Sequence, residues 1–344
     1  MKRIAMLTVL GCLLLVACDQ TNTHKDARMK PLTDINTRLA FTCKHQIIPE
    51  APADADVLFR YARWLQKNNL INRDKAVDVE IARLYRIAAE NGHFKASINL
   101  QNGALRGRFP LSSHERLRLS QQLIDAKIAA GYYFIAIYLE HGAAGLAQDT
   151  EMALRYYRKA ADEGNPQAQV YIGKKLAPAD MAPDISRQMR RCAAEQGEGR
   201  AANALANALA VDKKYPEAVE AFQLGVAAGD SGSASFLANG FTGPKITDRL
   251  YYLGLQKDSE RARRYEQIGD VLAKYSWAHP TVPEINDIVP LPPAPLPEWD
   301  GKLKWLEEWK ANVAPPKPSA ALIAKLAKKK QLNPATADIT GFFK

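Results

Sequence analysis

Ala160-Ala161-Asp162-Glu163-Gly164-Asn165-Pro166-Gln167-Ala168, near the middle of a 344-residue chain, is written as a helix end followed at once by a helix start. Glycine reaches the left-handed backbone region that ends a helix, asparagine caps the next one, and proline fits its first position, where an amide proton has no partner to lose. Upstream, Asp149 is a candidate N-cap, and Glu151 to Asp162 contains only residues that a helix tolerates well. The stretch therefore predicts two antiparallel helices joined by a tight turn. The paired alanines and Ala168 are small enough to let the two helices approach closely.

The same writing recurs. Ala88-Ala89-Glu90-Asn91-Gly92 is followed by Ala96, and Ala193-Ala194-Glu195-Gln196-Gly197 by Ala201. Two looser copies are Ala129-Ala130-Gly131 with Ala136 and Ala227-Ala228-Gly229 with Ala234. The glycines at 92, 131, 164, 197 and 229 are spaced by 39, 33, 33 and 32 residues, which is the signature of a repeat array. Leu84 and Tyr85, or Tyr156 and Tyr157, are the large residues that would fill the groove towards the next unit. One hairpin cannot bury its apolar face alone, so stacking supplies a continuous core.

Gly142-Ala143-Ala144-Gly145, Asp149, Ala153, Tyr156-Tyr157 and Lys159 to Gly164 resemble the Sel-one-like repeat, a relative of the tetratricopeptide repeat. The resemblance covers roughly residues 55–240, best in the unit ending at Gly164 and most degenerate at Gly131 and Gly229. It implies an all-α, right-handed α-solenoid of helix–turn–helix units with a concave protein-binding face, and no enzyme.

The first eighteen residues carry a separate signal. Lys2 and Arg3 precede a short apolar run, Ile4 to Val16, and Leu15-Val16-Ala17-Cys18 closes it. The run is too short to span a bilayer and reads as a signal peptide over 1–17. Its last four residues resemble a bacterial lipobox, which implies lipidation of Cys18 and attachment to a membrane facing the periplasm. Asp19 resembles the sorting residue that retains such lipoproteins at the inner membrane, the outer membrane being the alternative. A periplasmic address permits a Cys43–Cys192 disulfide. Cys192 also fits a small-residue helix in which a buried free thiol is common, so both readings stay open.

Beyond Tyr275 the writing changes. A helix from Arg261 to Tyr275 is followed by seven prolines between Pro280 and Pro297, interleaved with Val282, Ile285, Ile288, Val289, Leu291 and Leu296. Seven fixed φ angles and missing donors predict an extended segment, and its apolar partners predict a strap laid along the solenoid. A displayed polyproline ligand is the other reading. Asp300 to Ala311 and a Ser319-capped segment ending at Lys328-Lys329-Lys330 read as short helices. The organisation is then a signal peptide (1–17), a tether and N-terminal segment (18–50), a repeat solenoid (51–276), and a proline-rich strap with C-terminal helices (277–344). The run Asp287 to Gly301 is similar to the carboxy-terminal region of Sel-one-like lipoproteins that act as immunity partners of type VI secretion phospholipase effectors. That resemblance implies a protein partner, a phospholipase toxin, which this chain would neutralise by binding.

Composition excludes other classes. With 47% hydrophobic and 24% charged residues, 20 glycines, 20 prolines and 4 cysteines, the chain is neither disordered nor a disulfide scaffold. The net charge of +10, two of it in Lys2 and Arg3, suits an acidic partner or anionic surface but is too diffuse for nucleic acid. His24, His45, His93, His114, His141 and His279 form no pair at metal-binding spacing, so neither a metal nor a cofactor is expected. Gly229-Asp230-Ser231-Gly232 resembles a serine-protease nucleophile loop, yet it stands in register with the repeat glycines. Candidate partner-binding residues are Trp64, Tyr132, Tyr133 and Tyr138, since aromatic side chains dominate such contacts; core packing is the competing role for each. An envelope scaffold or signalling adaptor is the alternative function.

Overall fold

The computed structural model describes residues 39–339, and the turn chemistry is where its architecture starts. Helices α1 (Ala53–Asn68), α2 (Lys75–Glu90), α3 (Phe94–Leu105), α4 (Ser113–Asp125), α5 (Ala130–His141), α6 (Thr150–Asp162), α7 (Pro166–Lys175), α8 (Pro183–Glu195), α9 (Gly199–Val211), α10 (Tyr215–Ala227), α11 (Ser231–Gly240) and α12 (Ser259–Lys274) each pack on the next. Between α6 and α7, Gly164 has φ +99°, the Asn165 amide donates to Ala160 O at 2.8 Å, and the Asn165 side chain accepts from Ala168 N at 2.9 Å. Helix end and helix start are thus satisfied within nine residues. Gly92, Gly197 and Gly229 end α2, α8 and α10 in the same left-handed region. The result is an all-α stack of hairpins, and among the described residues the only extended pairing is an isolated bridge between Leu332 and Ile339.

Gly131 departs from the expected register. The left-handed residue of that unit is Lys127 (φ +58°), and the Ile128 amide closes the helix end on Leu123 O at 2.8 Å. Gly131 lies inside α5, where a Cβ would stand 2.6 Å from Ser120 O. It is a close-approach residue between α4 and α5, and the 39-residue spacing it suggested is not a structural period.

The core follows from the small residues. Ala88, Ala96, Ala160, Ala168 and Ala193 are fully buried between paired helices, while Leu84, Tyr85, Phe134, Tyr157 and Phe222 fill the space between hairpins. Each such large side chain contributes about 1.5–3 kcal/mol through burial.

Two irregular segments run over the hairpin turns. Residues 39–52 lie extended across α6, α7 and α8, joined to the stack by a Cys43–Cys192 disulfide. Gln46 N donates to Gln196 Oε1 at 2.8 Å, and Gln46 Oε1 accepts from Ala130 N at 2.7 Å. Gln169 Nε2 donates to Lys44 O at 3.0 Å, so side chains replace a sheet in satisfying this backbone. A Cβ on Gly164 would stand 2.7 Å from the His45 carbonyl carbon, so the glycine also admits the strap.

The proline segment behaves similarly, with one difference from expectation. A helical turn, α13 (Ile285–Ile288), occupies the proline-free gap between Pro283 and Pro290, so the segment is not extended throughout. Val282, Ile285, Ile288 and Val289 are buried against α10 and α12. Because seven prolines donate nothing, the segment's carbonyls take donors from the solenoid. Arg264 donates to Ile288 O and Pro297 O at 2.8 Å each, Arg261 to Pro290 O at 3.3 Å, and Gln223 to Val289 O at 2.8 Å.

The chain then returns to its beginning. Helix α14 (Lys304–Ala311) starts four residues later than Asp300, and α15 (Ala320–Lys329), capped by Ser319, packs on α1 and α2. Ile323, Leu326 and Ala327 join their core, and Asn91 Nδ2 donates to Leu326 O at 3.1 Å. Lys67 Nζ donates to Trp309 O at 3.0 Å. This arm ties the first helices of the stack to the last, so the solenoid is closed on itself.

Candidate functional site

Helix α3 carries Lys95, Asn99, Asn102 and, at its C-cap, Arg106, at spacings of four, three and four. That spacing puts all four on one face, opposite the buried Ala96, Leu100 and Ala104. Packing of α3 between its neighbours turns this face towards Phe59 and Arg63 of α1, Tyr133 and Phe134 of α5, and Asn165 to Gln167 at the start of α7. With Gln46 and Ile48 of the strap they enclose an open hollow of about 540 Å³. Its walls are cationic and amide-rich, its floor apolar, and no carboxylate lines it.

Beside it lies a tyrosine cluster. The Tyr157 and Tyr171 rings stack at 4.0 Å, Tyr133 meets Tyr157 edge-on at 5.8 Å, and the hydroxyls of Tyr157 and Tyr171 each donate to Glu140 at 2.6 Å. Burial works against charge on Glu140, but the two hydroxyls, with His141 and Lys175, hold its carboxyl below the usual range. Burial and the Glu140 carboxylate push the Tyr171 phenol up to about 12. Tyr133 is raised by burial, and by Glu198 and Glu140. Burial raises the Glu198 carboxyl, although Gln167 donates to it at 2.5 Å. The tyrosines stay neutral at physiological pH, and Tyr157 and Tyr171 act as fixed donors to Glu140.

The aromatic candidates separate. Tyr133 lines the hollow. Tyr132 is half-buried against Tyr156, with Lys159 over its ring at 5.8 Å. Trp64 stacks on Tyr61 and donates to Asn312 O at 3.4 Å, so it belongs to the arm that closes the solenoid. Tyr138 must be withdrawn as a partner contact: it is 0% exposed, with its hydroxyl on Gln101 Oε1 at 3.2 Å. Cys18 and Asp19 lie outside the described residues. Arg63, Lys95, Asn99, Asn102, Arg106 and Gln167 were not singled out from the sequence, where a polar helix stripe reads as a solvated face. For Lys95, Asn99, Asn102 and Arg106 the signal is available in their 4–3–4 spacing inside a helix whose neighbours on both sides are repeat helices; Arg63 and Gln167 carry no such signal.

Other reactive-looking groups have structural roles. Asp230 accepts from Ser233 N at 2.6 Å as the cap of α11, so Gly229 to Gly232 is a helix start and not a nucleophile loop. His93 Nδ1 accepts from Ala96 N at 3.1 Å, which leaves Nε2 to donate to Asp56 at 3.3 Å. This buried imidazole is a helix cap. Cys43, His45 and Cys192 bring possible metal-ligand atoms within 4.8 Å of one another, but the two sulfurs are joined as a disulfide and offer no thiolate.

A family model described as a domain of unknown function, DUF6396, matches residues 233–339, from α11 through the proline segment and the arm. No curated protein sequence matches the chain. Among solved structures it is similar to the immunity protein PA5088 of Pseudomonas aeruginosa, at 27% identity over 74% of this chain and 95% of that one, with a TM-score of 0.56. It is similar to the immunity protein Pa5087 of the same bacterium at 25% identity over 74% and 96%, with a TM-score of 0.54. PA5086, also from Pseudomonas aeruginosa, stands at 26% over 74% and 96%, with a TM-score of 0.53.

Proposed function

We propose that this chain is an immunity protein: a non-catalytic binder, held in the periplasm by a lipid on Cys18, that neutralises a phospholipase toxin. The observation that carries the reading is the likeness to PA5088 and Pa5087, both immunity proteins, over nearly their whole length. The hollow lined by α1, α3, α5 and α7 supplies a contact surface, since several hairpins present polar and aromatic side chains there together. Neutralisation is steric. A stable protein interface buries about 1,600 Å² in total, enough to cover the mouth of an active site. Tethering at the membrane the toxin attacks raises the effective concentration of the binder where it is needed.

The test is genetic and biochemical. The chain should protect a cell that directs a phospholipase encoded by a neighbouring gene to its own periplasm, and the purified proteins should associate. Its gene should become dispensable once that phospholipase gene is deleted; an envelope scaffold would stay required. Absence of both association and protection refutes the proposal.

A further inference from the structure

We infer that the hollow beneath α3 is a seat for an elongated acidic segment of the protein partner, gripped by Arg63, Lys95 and Arg106. The inference rests on the protein-binding reading above and adds the chemistry of what is bound.

Most other arginines on and between the first four helices are ion-paired, Arg116 excepted, which donates to Leu111 O at 3.2 Å. Arg60 meets Asp56, Arg73 and Arg108 both meet Asp78, Arg83 meets Glu80, Arg86 meets Glu115, and Arg118 meets Glu90. Lys95 and Arg106 have no ion-pair partner among the described residues, and the partners of Arg63 are neutral: it donates to Gln66 at 3.0 Å and lies against the Tyr85 hydroxyl. Three uncompensated cations therefore line one concavity that contains no carboxylate. Their neighbours strengthen the same preference. The amides of Asn99, Asn102 and Gln167 supply donors, and the N-terminal turns of α5 and α7 open into the hollow with the positive ends of their dipoles.

Length decides what kind of anion fits. Lys95 and Arg106 are eleven residues apart along one helix, which is about 16 Å at 1.5 Å per residue. A phosphate or a lipid headgroup spans only a few ångströms and reaches one end of the row. An Asp/Glu-rich loop or helix face spans it, and its apolar positions meet Ile48, Phe59, Ile98 and Phe134 on the floor.

The test uses the full mature chain, oxidised at Cys43–Cys192, with wild type compared against Lys95→Glu, Arg106→Glu, the double charge reversal and the charge-keeping Arg106→Lys. Lys329→Glu, at the exposed end of α15, serves as a charge-matched control. Circular dichroism melts first establish that each variant folds. Two probes are used: a phospholipase encoded by a neighbouring gene, and a fluorescein-labelled deca-glutamate peptide read by anisotropy. Each reversal should weaken the phospholipase complex about 10–100-fold at 50 mM salt and flatten its salt dependence, while Lys329→Glu and Arg106→Lys stay within about twofold. The peptide should bind wild type and not the double variant, and millimolar inorganic phosphate should not displace it. A phospholipase complex that tolerates the double variant overturns the inference while leaving the immunity reading in place. If the phospholipase does not bind at all, that reading falls, and the peptide then decides: specific binding upholds the acidic seat, and no binding, or displacement by phosphate, overturns it.

Discussion

Gly197 and Gly229 end equivalent helices with the same φ of +89°, but their surroundings differ. A Cβ on Gly197 meets nothing within 4 Å, whereas one on Gly229 would stand 1.9 Å from the carbonyl oxygen of Pro280. Gly197→Ala therefore carries only the cost of a left-handed alanine, about 1–2 kcal/mol. Gly229→Ala carries that cost and also lifts the proline segment off the turn. Lifting breaks the Val282 N to Ala227 O hydrogen bond of 2.9 Å, worth about 1 kcal/mol net, and uncovers Val282, whose burial is worth about 1.5–2 kcal/mol. The expected losses are about 1–2 kcal/mol for Gly197→Ala and about 4 kcal/mol for Gly229→Ala. Equilibrium urea unfolding followed by circular dichroism, with the disulfide intact, measures both. Limited proteolysis of Gly229→Ala should open first near residues 280–297. Equal losses in the two variants would refute the account of how the segment is held.

Arg264→Ala should cost about 2–4 kcal/mol in the same assay, because it leaves the buried Ile288 carbonyl without a donor. Arg263→Ala, one residue away and outside the proline contacts, should be nearly neutral. Reduction of Cys43–Cys192, which closes a loop of 149 residues, should lower stability by about 2–5 kcal/mol, read as a drop in Tm with dithiothreitol. A Cys43→Ser variant should show the low Tm under both conditions. His93 should make stability acid-sensitive. Its burial outweighs the pull of Asp56 and depresses its pKa below 6.5, so the unfolded chain takes up the proton first. Stability is then full above pH 6.5 and falls below it until the folded imidazole itself protonates. His93→Asn, which keeps a cap acceptor, should flatten that slope in pH-dependent urea melts.

The hairpin period was legible because it rests on local chemistry. A residue ending a helix in the left-handed region is most often glycine, and Gly92, Gly164, Gly197 and Gly229 announce themselves for that reason. Lys127 does the same work without glycine, and the glycine that suggests the end of its unit, Gly131, stands four residues away. Asp149, Asn165 and Ser319 are readable as caps because the partner of each is three residues away. Long-range features were not readable. Residues 39–52 have no periodicity of their own, since Gln169 and Gln196 satisfy their backbone from distant helices. Closure of the stack joins Asn91 to Leu326 across 235 residues, and nothing local records it. The hollow is not legible in the sequence for a related reason. Lys95, Asn99, Asn102 and Arg106 look solvated on an isolated helix and become a wall only when α1 and α5 face them. Tyr138 misled in the opposite sense, being an aromatic residue whose polar tip is satisfied inside the core by Gln101.

Hydrogen–deuterium exchange of the mature chain, alone and in complex with a phospholipase encoded by a neighbouring gene, tests the central claim most directly. The account predicts new protection in α3, at the start of α5 and at the start of α7, with α15 unchanged. Protection confined to α2, α4 and α6, which do not line the hollow, or to the C-terminal arm would contradict it.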